Sequence, residues 1–234
     1  DSVSAGYDWD EGFDYSSGVI AFHWSIDKVL DDLNTHNVFM VASSRANAEA
    51  SWRVLRPDQD KEDNFVEPFN FYVHRASKTD PTAAPKGCDA LLVLVPCKAL
   101  ERDTLYANLP REEAIALYKQ QFDESVISRA REAVLTRLAA IGSLQGIKDH
   151  VLDEVVDTPG TYADYYNVAA GTPFAMSHGF RQLSLTRPGP ESSDIPNVFF
   201  VGAGTRPGNG VPLVLMGAKQ VAEKVLSKLK LLER

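Results

Sequence analysis

Asn197-Val198-Phe199-Phe200-Val201-Gly202-Ala203-Gly204-Thr205-Arg206-Pro207-Gly208-Asn209-Gly210-Val211-Pro212 decides how this chain is read. The apolar and β-branched run at 197–201 predicts a strand, and the spacing of apolar residues from Leu213 to about Leu229 predicts an amphipathic helix. Between them lie four glycines among the nine residues 202–210. Residues without a Cβ let the backbone come close to a ligand, and the N–H groups at a helix start concentrate partial positive charge. A strand, a glycine-rich turn and a helix in this order suit a pyrophosphate or the electron-rich edge of a reduced flavin. The G-x-G-x-x-G dinucleotide fingerprint is not met, because Pro207 stands where its third small residue is required. No Gly-Lys-Ser/Thr follows, so this is not a phosphate-binding P-loop. The bland alternative is an ordinary connection between a strand and a helix.

Upstream of that stretch, Val19-Ile20-Ala21-Phe22-His23-Trp24 reads as a strand with one covered face. Val38–Val41 and Phe69–His74 give two more strand candidates. Ala90–Val95, closed by Pro96, is a continuous apolar run and is expected to be the most buried strand of this half. Thr79-Asp80-Pro81 and Ala84-Pro85-Lys86-Gly87 mark turns on the way into it. From about 110 to 142 the period changes to 3.6, with Ile115, Tyr118, Phe122, Val126, Ala130, Val134, Leu138 and Ile141 on one stripe. Pro110 suits a helix start and Gly142 a stop, with room for a break between them. Val151–Val156 reads as a short strand and Pro159-Gly160-Thr161 as a turn. His23 and His178 read as structural hydrogen-bonding histidines, and Arg181 and Arg187 as solvated.

The 234 residues carry 24 Lys+Arg against 32 Asp+Glu, a net charge of −8, with 44% hydrophobic residues. That balance argues for a globular fold and against nucleic acid as a partner, because no basic footprint exists to hold a phosphate backbone. Cys88 and Cys97 are the only cysteines, and their spacing matches neither a zinc site nor a redox pair, so both read as reduced core thiols and no metal is expected. No run of about eighteen apolar residues occurs, which speaks against a transmembrane segment. The acidic, polar start at Asp1–Tyr15 speaks against a signal peptide and looks like a cut in a longer chain.

The 197–212 stretch closely resembles the C-terminal flavin-contacting signature of the phytoene desaturases, the carotenoid-forming branch of the FAD-dependent amine-oxidase-like oxidoreductases. Phe22–Asp27, His36–Phe39, Ser77–Pro81, Ala84–Cys88 and Leu91–Pro96 fall in the order and approximate spacing of the fungal members. The resemblance implies an α/β (α+β) fold, the C-terminal part of a two-domain oxidoreductase. Residues 1–180 would belong to a mixed-sheet substrate-binding domain with its helical region at about 110–142. Residues 181–234 would return to a Rossmann-like FAD-binding domain as its closing strand, glycine turn and helix.

The same resemblance implies FAD as cofactor, contacted by Gly202, Ala203, Gly204, Thr205, Gly208, Asn209, Gly210 and Val211. Phe174 and Met176, in the small-residue run Ala169–His178, would line a substrate channel. The substrate would be phytoene or a related lipid isoprenoid, and the complete protein would associate with a membrane surface. Two departures stand out. Arg206 takes the place where the family often has histidine, and the glycine fingerprint for the FAD pyrophosphate is missing, so this chain alone would be inactive. No catalytic residue is assigned. The alternatives are a non-catalytic ligand-binding or interaction module on the same fold, and a related flavin oxidoreductase acting on a retinoid or an amine.

Overall fold

The structure, a computed structural model, describes residues 13–40, 44, 70–100 and 109–232. Val41 and Phe69, at the outer ends of two expected strands, and the acidic start at 1–12 lie outside the described residues. The chain divides into two compact units, Ser17–Thr172 and a second made of Asp1–Ser16 with Pro173–Arg234.

The 17–172 unit is built on strands β1 (Gly18–Ile26), β2 (His36–Phe39), β3 (Phe71–Arg75), β4 (Asp89–Cys97) and β5 (Val151–Asp157). Its helices are α1 (Ala76–Thr79), α2 (Arg111–Gln120), α3 (Glu124–Ala139) and α4 (Pro159–Tyr166). The strands form one sheet in the order β2-β3-β4-β1-β5. The expected α/β class holds, but the pairing is antiparallel throughout where a mixed sheet was expected. The connection from β3 to β4, residues 76–88, contains α1 and returns the chain antiparallel beside β3.

Register explains the core. Ile20, Phe22 and Trp24 of β1 face Val95, Val93 and Leu91 of β4, and Val73 of β3 lies opposite Val93 on its other side. Alternation then puts all of these side chains, with Phe71 and Ile26, on one buried face. Helix α3 covers it with Val126, Ala130, Val134 and Leu138, four residues apart in sequence and all buried. Leu144 and Ile147 complete the cluster. The guanidinium of Arg131 lies 5.9 Å from the Phe22 ring centroid and that of Arg137 5.1 Å from that of Phe71. Arg131 also reaches Glu154 of β5 at 2.7 Å, and the Trp24 indole N–H donates to the same carboxylate at 2.6 Å. Helix and sheet are thus joined by charge as well as by apolar area.

Several local expectations change for identifiable reasons. The helical region at 110–142 breaks at Asp123, whose side chain accepts from the Val126 N–H and caps α3. Pro159-Gly160-Thr161 is the first turn of α4 rather than a free turn. Thr158 is its N-cap in a capping box with Thr161, and Pro159 fits because the first helical N–H needs no intrahelical partner. β1, not β4, is the most buried strand: Val19 and Ala21 are covered as well, where α4 lies against β1, while β4 alternates buried and half-buried residues. Cys97 is fully buried, and burial pushes its thiol pKa up, but Cys88 sits half-buried in a turn outside the core. His23, its side chain 46% exposed, meets Asp157 at 3.1 Å across the β1–β5 pair.

One buried ion pair anchors the β3–β4 end of the sheet. Arg75 Nε lies 2.9 Å from Asp89 Oδ2, and both side chains are almost wholly buried. Asp89 also accepts from the Leu30 N–H at 2.7 Å and the Ser77 hydroxyl at 2.6 Å. Arg75 donates to the carbonyls of Leu30 and Leu33. Removing one partner leaves the other as an uncompensated buried charge. Asp89→Ala is therefore expected to lower the unfolding free energy by about 3–5 kcal/mol, against about 1 kcal/mol for Ser77→Ala. Urea unfolding of the two variants checks this, and equal small losses would show the pair to be dispensable.

Candidate functional site

In the unit that contains 173–234, the run 197–201 forms no strand. Phe199 makes a single antiparallel bridge with Glu191, the Phe200 N–H donates to Pro190 O at 2.8 Å, and the Ser192 N–H donates to Val198 O at 3.0 Å. The segment folds back on residues 190–192 as a loop, with Asn197 at φ 64°. A strand is completed by a neighbour paired along its length, and among the described residues of this unit 197–201 meets only the short 190–192 segment, through one bridge. Phe200 and Val201 remain more than half exposed. Helix α5 (Val211–Leu232) begins two residues before the expected start, with the Val214 N–H donating to Gly210 O at 2.9 Å.

The turn between them is folded tightly. The Thr205 hydroxyl and N–H both return to Gly202 O, at 3.1 and 3.2 Å. Arg206 donates from Nε to Arg187 O at 2.7 Å and from its N–H to Pro188 O at 3.1 Å. The centre of the arrangement is Arg187, which is completely buried, so its expected place in solvent is wrong. All five of its N–H donors can be assigned to backbone carbonyls. Nε and Nη2 reach Ala203 O at 3.0 and 2.7 Å, Nη1 reaches Gln182 O at 3.0 Å and Ser177 O at 3.2 Å, and Nη2 reaches Met176 O at 3.2 Å. Burial lowers its pKa. The carbonyls solvate the cation in place of water, and a guanidinium keeps its proton in proteins. Among the described residues no carboxylate pairs with it. Its only sequence signal was negative: it lies in a run from Phe180 to Pro190 that has no acidic residue to hold it at the surface.

Beside this hub lies an open cavity of about 640 Å³, with Gly202, Ala203, Gly204, Thr205 and Met176 in its wall. Ile195, Phe200 and Val201 add apolar lining, and Glu191 and Asp194 are its carboxylates. Glu191 is already matched: Lys228 of α5 hydrogen-bonds it, Lys224 lies 3.6 Å away, and these cations hold its carboxyl below the usual range. The structure thus brings Gly202, Ala203, Gly204, Thr205 and Met176 together. Gly208, Asn209, Gly210 and Val211 stand outside this wall at the start of α5, and Phe174 is also outside it, its carbonyl 3.4 Å from the Asn209 amide nitrogen. His178 and Arg181 are exposed. Met176 forms an isolated antiparallel bridge with Tyr15.

No family model matches the chain. Individual proteins do. Over 216 residues, 90% of the chain, it is 33% identical to a phytoene desaturase of Fusarium fujikuroi, of which it covers 36%. It is 32% identical over 91% of its length to a phytoene desaturase of Neurospora crassa, and 31% identical over 92% to an all-trans-zeta-carotene desaturase of Myxococcus xanthus. The chain spans about a third of the length of these relatives.

The turn glycines differ in what they require. A Cβ on Gly204 would meet nothing within 4 Å, while Gly210 holds φ at 92°, which L side chains rarely adopt. Gly204→Val should change unfolding free energy by less than about 0.5 kcal/mol, and Gly210→Val should lower it by about 1–3 kcal/mol through backbone strain alone. Denaturant midpoints of the two variants test the separation; equal losses would mean that Gly204 also supports the fold.

Proposed function

We propose that this chain, related over nine-tenths of its length to the carotenoid desaturases, belongs to an FAD-dependent enzyme that dehydrogenates phytoene or a related isoprenoid. The observation that carries the reading is the glycine turn: Gly202 and Gly204 face open space where a Cβ would stand, and both lie in the wall of a cavity. Such a cradle fits a flat cofactor that must approach the backbone closely. Gly202, Ala203, Gly204 and Thr205 would hold it from the wall, and Gly208, Asn209, Gly210 and Val211 from the start of α5, where the helix dipole favours negative charge.

Introducing a double bond removes a hydride and a proton from adjacent saturated carbons. A bound flavin supplies the hydride acceptor that amino-acid side chains lack. The chain's own residues would supply the surroundings. Met176, Phe200 and Val201 offer apolar surface for a hydrocarbon chain, and we place Phe174 on the same route. Residues 1–180 would contribute to the substrate-binding domain and 181–234 to the flavin domain. Phe180 at 92% exposure and Leu185 at 81% supply apolar surface suited to contact with a membrane from which a lipid substrate is drawn. No helix among the described residues is long and apolar enough to cross a membrane.

Gly204→Val separates ligand from fold, because the valine would enter the cavity without clashing inside the protein. In protein expressed from its full reading frame in a phytoene-supplying host, this variant is expected to lose bound flavin and coloured product while keeping the unfolding midpoint of the flavin-free parent. Full flavin absorbance with normal product would make the turn an ordinary connection and defeat the proposal.

A further inference from the structure

We infer that Arg187 is a positioning residue whose buried guanidinium fixes the Ala203 carbonyl of the glycine turn and sets a positive potential behind the cavity wall, favouring the reduced, electron-rich state of a flavin held there. The inference rests on the flavin reading above and extends it to a side chain that faces backbone rather than ligand. Its first support is geometric. Two donors converge on Ala203 O, and the others hold Met176, Ser177 and Gln182. Met176 and Ala203, together with Pro188 and Gly189 next in sequence to the arginine, all line the cavity. One planar fork thereby ties three separate segments of that wall.

Its second support is charge. Carbonyl dipoles satisfy the donors without neutralising the cation, in contrast to Arg75, which meets Asp89, and Arg131, which meets Glu154. Of the cavity's carboxylates, Glu191 is matched by two lysines and Asp194 is exposed. The positive charge therefore persists on a side chain with no solvent exposure, behind the cavity wall, where electrostatic effects are larger than in solvent. Lysine cannot reproduce the fork, since its three donors radiate from one atom, but it keeps the charge.

That difference provides the test, made on the flavin-loaded protein from its full reading frame with FAD as the probe. Arg187→Lys should weaken FAD binding by about tenfold or more, as expected for lost charge-assisted hydrogen bonds, with the flavin midpoint potential close to that of the parent. Arg187→Met should weaken binding and also lower the midpoint potential, measured at saturating FAD. A purely structural role would change affinity and thermal stability but leave the potential alike in the two variants. If Arg187→Met does not fold, Arg187→Gln serves as the neutral variant with the same expectation. Parental affinity in Arg187→Lys, or a parental potential in the neutral variant, overturns the inference while leaving the flavin reading intact. Failure of the parent protein to take up FAD overturns both.

Discussion

A buried guanidinium must find an acceptor for each of its donors, because water no longer supplies them and an unmet charged group costs more than most interactions can return. Arg187 meets that constraint with main-chain carbonyls from four residues, and the loops of its unit are arranged around doing so. Ala203, Met176, Ser177 and Gln182 are brought to one point, and the arginine's own carbonyl accepts from Arg206. With 197–201 forming no strand, regular structure contributes little here besides α5. The glycine turn consequently holds its shape through side-chain-to-backbone bonds rather than through a sheet.

The 17–172 unit solves a similar problem in another way. Arg75 is as deeply placed, yet it lies against Asp89, and both are braced by the 30–33 loop and Ser77. There the charges cancel and the pair's effect is to fix the loop against β3 and β4. Its apolar face depends on β1, which pairs with β4 on one side and β5 on the other. The two arginines illustrate how the same side chain acts as a neutralised brace in one setting and as a retained charge in the other. The acceptor type makes the difference.

The relation to carotenoid desaturases covers nearly the whole chain but only about a third of each relative. The glycine run at 202–210 was legible because it depends on residue type alone: absence of a Cβ permits close approach wherever the turn lies. Its division of labour was not legible. Gly204 faces open space, Gly210 carries a positive φ, and Gly208, though buried, stands away from the cavity wall. Four identical letters conceal these differences because φ and neighbouring atoms are set by the folded turn.

Periodicity by itself determined β1 and the amphipathic segments that become α2, α3 and α5, since alternation and a 3.6-residue repeat are local properties of a chain that buries one face; the apolar run closed by Pro96 marked β4, and the α/β class was what the resemblance implied. Capping chemistry at Asp123 and Thr158 was also written locally, although Pro159 read as a turn until Thr158 and Thr161 were seen to close the box. Only the tertiary structure decided that 197–201 would remain a loop, because a strand needs a neighbour and the residues carry no record of whether one is present. Tertiary structure likewise put Arg187 inside. Long charged side chains are solvated by default, and burial becomes tolerable only where carbonyls distant in sequence converge to replace water, a condition set by the fold rather than by the arginine or its neighbours.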